Sequence, residues 1–147
     1  MKSSAFVHRA VVMQLQSGGS GSDANRFAVL AHLSYDRDDP FAVTATFSHD
    51  GRVLARWRLA REMLAEGLRR PVGEGDVRFS PRYARGWHEL RMDFYGEHRG
   101  DGERHHAVVH AWAPAVERFL DESYRVVAPG DEHVEVDGFL SELLANG

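Results

Sequence analysis

From Phe27 to Tyr35 every second residue is large and apolar or is alanine: Phe27, Val29, Ala31, Leu33 and Tyr35, separated by Ala28, Leu30, His32 and Ser34. A repeat of two places one set on a single sheet face, so this segment has to pair with neighbouring strands to bury it. The same period runs before and after it. Val7, Arg9, Val11, Met13 and Leu15 alternate with Phe6, His8, Ala10, Val12 and Gln14, and because both sets carry apolar groups either face can be covered. Phe41, Val43, Ala45 and Phe47 point one way in a third strand that follows the turn Asp36 to Pro40. Asp50-Gly51 suits a type I′ hairpin, since both central residues need positive φ, and Val53, Ala55, Trp57 and Leu59 continue as a fourth strand. The first half is therefore an antiparallel meander. The Gly/Ser run Ser17 to Ser22 is expected to be a flexible hairpin loop within it.

The period then changes. Leu59, Met63, Leu64 and Leu68 share one helical face, with Arg61, Glu62 and Glu66 away from it, and Pro71 stops the helix because it lacks an N–H. The turn Pro71 to Asp76 leads to a strand at Val77 and Phe79 that Pro81 is expected to end. Further strands are expected at Trp87 to Tyr95, with His88, Leu90, Met92 and Phe94 on one face, and at His105 to Ala111 after a polar hairpin from Gly96 to Glu103. Pro114 suits the first turn of a helix whose packing stripe is Trp112, Val116, Phe119, Leu120 and Ser123. A last amphipathic segment, Phe139, Leu140, Leu143 and Leu144, is expected to be capped by Asp137. The order is four strands, a short helix, three strands and two C-terminal helices, an α+β fold of antiparallel sheets.

Its 147 residues suit one domain spanning 1–147, and 43% hydrophobic with 27% charged residues are the proportions of a chain that folds by burial. With no cysteine there is no disulfide, thiolate metal site or thiol nucleophile, and a reducing cytoplasm is the expected compartment. The N-terminus lacks a signal-peptide apolar run, and charge interrupts every hydrophobic stretch before it could span a bilayer. A formal charge of −4 argues against bulk nucleic-acid affinity.

Motifs for chemistry are absent or misplaced. His106 and His110 on one strand would stand about 13 Å apart, too far to share an ion. Gly73-Glu74-Gly75 follows a helix, opens a strand and carries acids, the reverse of a phosphate cradle. Neither a G-x-S-x-G elbow nor an HExxH helix occurs, and the acid pairs Asp38/Asp39 and Asp121/Glu122 are read as solvated. No catalytic residue, cofactor or metal is therefore expected, and the protein is read as a binding protein. The alternation that buries Val53, Ala55 and Trp57 puts Arg52, Arg56 and Arg58 on the opposite face as a basic stripe. The face is read first as solvated and neutralised by acids such as Glu62 or Glu66, or by a partner protein, and second as a site for single-stranded nucleic acid; Arg52, Arg56 and Arg58 are the candidate partner-binding residues.

Asp39 to Val43, the run to Phe47, and Met63-Leu64-Ala65-Glu66-Gly67-Leu68 before the Pro71 turn resemble the SsgA-like proteins of actinobacteria, sporulation and cell-division regulators, and look nearest to the SsgB type. The resemblance is strong from about Leu33 to Phe79 and continues in element order beyond. The Gly/Ser run and the His-rich segment Arg104 to Trp112 depart from the pattern. What the resemblance implies is a non-enzymatic protein with a whirly-like fold that assembles as a trimer. It also implies cytoplasmic work at division septa, where SsgB-like members place the tubulin-like protein FtsZ and are themselves positioned by another SsgA-like protein. Whirly-like folds are related to single-stranded nucleic-acid binders, which gives the alternative function. The resemblance assigns no individual binding residue.

Overall fold

The computed structural model describes residues 5–16, 26–84, 86–98 and 104–133. The expected loop at Ser17 to Ser22 and the last helix with its Asp137 cap lie outside these residues. β1 (Phe6–Gln16), β2 (Arg26–Asp36), β3 (Ala42–His49) and β4 (Arg52–Ala60) form the first meander. α1 (Arg61–Gly67) follows directly. β5 (Val72–Glu74), β6 (Val77–Ala84), β7 (Trp87–His98) and β8 (Arg104–Trp112) form a second meander, closed by α2 (Ala113–Val126). The described residues thus repeat four strands and a helix.

The two meanders are one antiparallel eight-stranded sheet, in the order β4-β3-β2-β1-β8-β7-β6-β5, rather than separate sheets. Their only seam among the described residues is the short pairing of Gln14–Gln16 with Val108–His110. The sheet curls so that its halves face each other. Phe47 of β3 meets Phe94 of β7 edge-on at 5.5 Å, and Trp57 of β4 lies 4.9 Å from the same ring. The β2 alternation is observed as read, since Val29, Ala31, Leu33 and Tyr35 are all buried. α2 lies over the inner side of β1, β2, β7 and β8, with Val116, Phe119, Leu120 and Ser123 buried. Pro114 stands in its first turn. Asp50 (φ 49°) and Gly51 (φ 77°) both adopt the left-handed geometry that a type I′ turn requires.

Several expectations fail for identifiable reasons. Four strands follow α1, because Val72–Glu74 pairs with Val77–Phe79 where a plain turn was expected. Pro81 does not end β6. The short partner β5 stops at Phe79, so from there β6 is an edge strand on which a missing N–H is tolerated. Trp112 ends β8 and is 46% exposed, outside the α2 stripe. Phe41 precedes β3 and is exposed, and Leu59 belongs to β4 rather than to α1. Arg61, read only as lying off the apolar face of the helix, is 2% exposed. Its guanidinium lies 4.5 Å from the Tyr35 ring and 5.0 Å from the Tyr124 ring. Its Nη1 donates to the carbonyls of Ser123 (3.2 Å) and Val127 (2.8 Å), and Nη2 stands 3.5 Å from Glu132. One side chain at the start of α1 thereby ties down the end of α2.

Candidate interaction surface

The convex side of β1–β4 is covered by nothing described. Period two directs Val12 and Leu30 outward, and Val53 joins them because of a bulge. The β3–β4 register pairs Phe47 with Ala55 but Ser48 with Val53, leaving Leu54 as the extra residue. Val12 is 67% exposed, Val53 63% and Leu54 49%. With Leu30, Thr46 and Ser48, the two valines line a shallow depression of about 670 Å³. An open apolar cluster rimmed by polar groups is the signature of a binding surface.

The bulge also redistributes the three arginines. Arg56 and Arg58 share the convex face with Thr44 and Thr46, but Arg52 pairs with His49 and takes the opposite sheet direction. The expected three-arginine stripe with Val53 buried beneath it does not form. Arg56 Nε donates to Thr46 Oγ1 at 3.3 Å. Arg58 makes a two-pronged contact to Asp39, with Nε 2.9 Å from Oδ2, and this hydrogen bond and charge raise its pKa above the usual arginine value. Asp39 is therefore an ion-pair partner rather than a merely solvated acid. On the other side of the patch the rings of His8 and His32 stack at 5.3 Å. Among the described residues the one acid that β1–β4 direct to this face is Asp36, at the end of β2 opposite Phe6, while Asp39 pairs with Arg58 and Asp50 of the β3–β4 turn borders the depression. The surface is apolar at its centre and mixed in charge at its margins, where Arg56 and the Arg58–Asp39 pair lie, which favours a partner presenting apolar groups ringed by polar ones.

A second polar cluster lies on β7 and β8. Arg91 donates twice to Asp93, both at 3.0 Å, and His106 Nε2 stands 2.8 Å from Asp93 while its ring stacks on Tyr95 at 4.5 Å. Burial alone would raise the Asp93 pKa, but the hydrogen bonds from Arg91 and His106 outweigh it and hold the carboxyl below its usual range. His110, on the same strand as His106, turns instead to Gln16 (3.0 Å). Among the described residues no three His, Asp or Glu side chains converge as metal ligands.

Burial, reinforced by Arg26, Arg91 and Arg82, lowers the His110 pKa to about 4. The unfolded chain takes up this proton near pH 6.5, but the folded one only near pH 4, so stability is lost between those values as pH falls. Going from about pH 7 to about pH 5 should cost about 2 kcal/mol through this group. Denaturant titration of wild type and His110→Gln checks it, since the variant is expected to lose that slope. An identical slope in both proteins would show that His110 does not cause it.

The sequence matches the family model described as Streptomyces sporulation and cell division protein SsgA over residues 29–132. It is 39% identical over 126 residues to the sporulation-specific cell division protein SsgB of Streptomyces coelicolor, covering 84% of this chain and 88% of that one. Against SsgB of Salinispora tropica the identity is 37% over 127 residues, covering 84% and 85%. A solved structure concerning SsgB of Streptomyces coelicolor superposes with a TM-score of 0.73 at 34% identity, covering 90% of this chain and 98% of that one. That of an SsgA-like sporulation-specific cell division protein from Thermobifida fusca gives 0.78 at 28% identity, covering 97% and 99%.

Proposed function

Since this chain belongs to the SsgA family of sporulation and cell-division proteins, we propose that it is a non-catalytic septation regulator that recruits or positions FtsZ through protein contacts. The convex face of β1–β4 is the surface proposed to make those contacts, with Val12, Leu30 and Val53 as its apolar centre and Arg56 and the Arg58–Asp39 pair as its charged margin. The observation that carries this reading is the exposed apolar cluster of Val12, Leu30 and Val53 on a face that no described residue covers, within a chain of this family.

Arg52 contributes from the turn end of β4 rather than from the face itself. A homotrimer with a whirly-like arrangement, working in the cytoplasm at septa alongside another SsgA-like protein, belongs to the same proposal. Among the described residues no helix is long and apolar enough to cross a membrane. Single-stranded nucleic-acid binding through the three arginines draws less support, because one leaves the face and another is engaged by Asp39.

Co-sedimentation with FtsZ filaments tests the proposal. Retention in the pellet that weakens with salt is expected, because the margin of the face is charged. Absence from the pellet at every salt concentration, together with absence from septa in cells, would reject it. Sedimentation equilibrium should give three times the chain mass.

A further inference from the structure

The β6–β7 hairpin extends past both of its neighbours in the sheet. β5 stops pairing with β6 at Phe79, and β8 reaches β7 only from Glu89 onward. Tyr83, Ala84 and Gly86 to His88 thus lie at the end of a two-stranded ribbon that meets no further strand there, with Ala84 opposite Trp87 and Gly86 at φ 80°. The tip carries two large exposed aromatics, Tyr83 at 71% and Trp87 at 61%. It is also braced, since Tyr83 stacks on His88 at 4.4 Å and His88 Nε2 contacts the Leu68 carbonyl oxygen at 3.1 Å.

Its charge runs against that of the chain. Between Asp76 and Glu89 the sequence has Arg78, Arg82 and Arg85 and no acid, whereas the whole chain is formally −4. Arg78 and Arg82 are exposed, Arg82 standing opposite Glu89 across the β6–β7 ladder, and Arg69 and Arg70, also exposed, follow the Leu68 that braces the tip. Arg70 is paired with Glu66.

We propose that this tip is a membrane-surface contact, seating Tyr83 and Trp87 at the headgroup level of an anionic bilayer while the neighbouring arginines meet lipid phosphates. Trp and Tyr are the side chains with an apolar body and a polar edge suited to that boundary. Basic residues beside them gain from the negative surface potential of anionic lipid. Shape favours a bilayer over a nucleic acid strand. Successive positions on the ribbon place Tyr83 on one of its faces and Trp87 on the other, so a single strand in a groove could stack on only one of them. A surface met end-on accepts both.

The full chain is floated with vesicles of equal parts phosphatidylglycerol and phosphatidylcholine, and with phosphatidylcholine alone. Flotation with the anionic vesicles only, weakened by salt, is expected. Tyr83→Ala/Trp87→Ala should weaken it roughly tenfold, equivalent to about 1.4 kcal/mol, and Arg82→Glu should weaken it too. Both variants should keep the wild-type unfolding midpoint, because the altered side chains are exposed. No flotation, equal flotation with neutral vesicles, or binding untouched by these variants overturns the proposal. So does retention on an oligothymidine column that depends on the same residues without any vesicle binding. Failure here leaves the FtsZ reading intact, since that rests on the convex face of β1–β4.

Discussion

Replacing Arg61 with alanine is expected to destabilise the fold by about 4 kcal/mol, as when one partner of a buried ionic contact is removed and a large side chain is deleted together. Arg61 is buried between two tyrosine rings and supplies hydrogen bonds to the Ser123 and Val127 carbonyls. Truncation takes the Arg61 donor from the Val127 carbonyl, leaves the Ser123 carbonyl with only the Val127 N–H, leaves Glu132 without its cation and opens a void against Tyr35. Lysine would restore the charge but not the planar surface that stacks or the forked donor, so Arg61→Lys should recover only part of the loss. Urea unfolding of the three proteins measures this. A loss under about 1 kcal/mol for the alanine variant, the range of an exposed ion pair, would show that the buried contact does not hold α1 to α2.

Gly67→Ala should be destabilising by about 3 kcal/mol, near the upper end for an overpacked core. On helix propensity alone the same change would stabilise by about 1 kcal/mol. The sign reverses because a Cβ built at Gly67 comes within 2.3 Å of Phe79 Cβ, where α1 packs on β6. The obstructing atom is the Cβ, so Phe79→Ala cannot relieve the clash, and the double variant should be at least as unstable as the sum of the singles. Rescue by Phe79→Ala would show that the ring, not the helix-to-strand distance, excludes a side chain at position 67.

These two sites mark where sequence reasoning stops. Regular alternation was sufficient for β2, and Asp50-Gly51 identified its own turn, because both signals are set by local backbone geometry. The Pro114 helix start was legible for the same reason. The bulge opposite Phe47 and Ser48 was not, since an extra residue leaves no mark on a period-two pattern until its partner strand is known. That slip alone turned Val53 outward and removed Arg52 from the basic stripe. Arg61 was legible only as a residue off the apolar face of its helix, and only the meeting of α1 with α2 and Tyr35 supplies its partners. Gly67 read locally only lowers helix propensity, whereas its reason is contact with Phe79 across the fold. The convex face was half visible: apolar residues on both sides of β1 indicated a second surface, but not that no described residue would cover it.

The claim that this convex face is the working surface is tested most directly by the affinity of Val12→Asp/Val53→Asp for FtsZ filaments. Both side chains are exposed, so the unfolding midpoint should stay near wild type, while binding should weaken at least roughly tenfold through lost apolar contact and the burial of two carboxylates against the partner. Wild-type affinity in a folded double variant would contradict the assignment of this face.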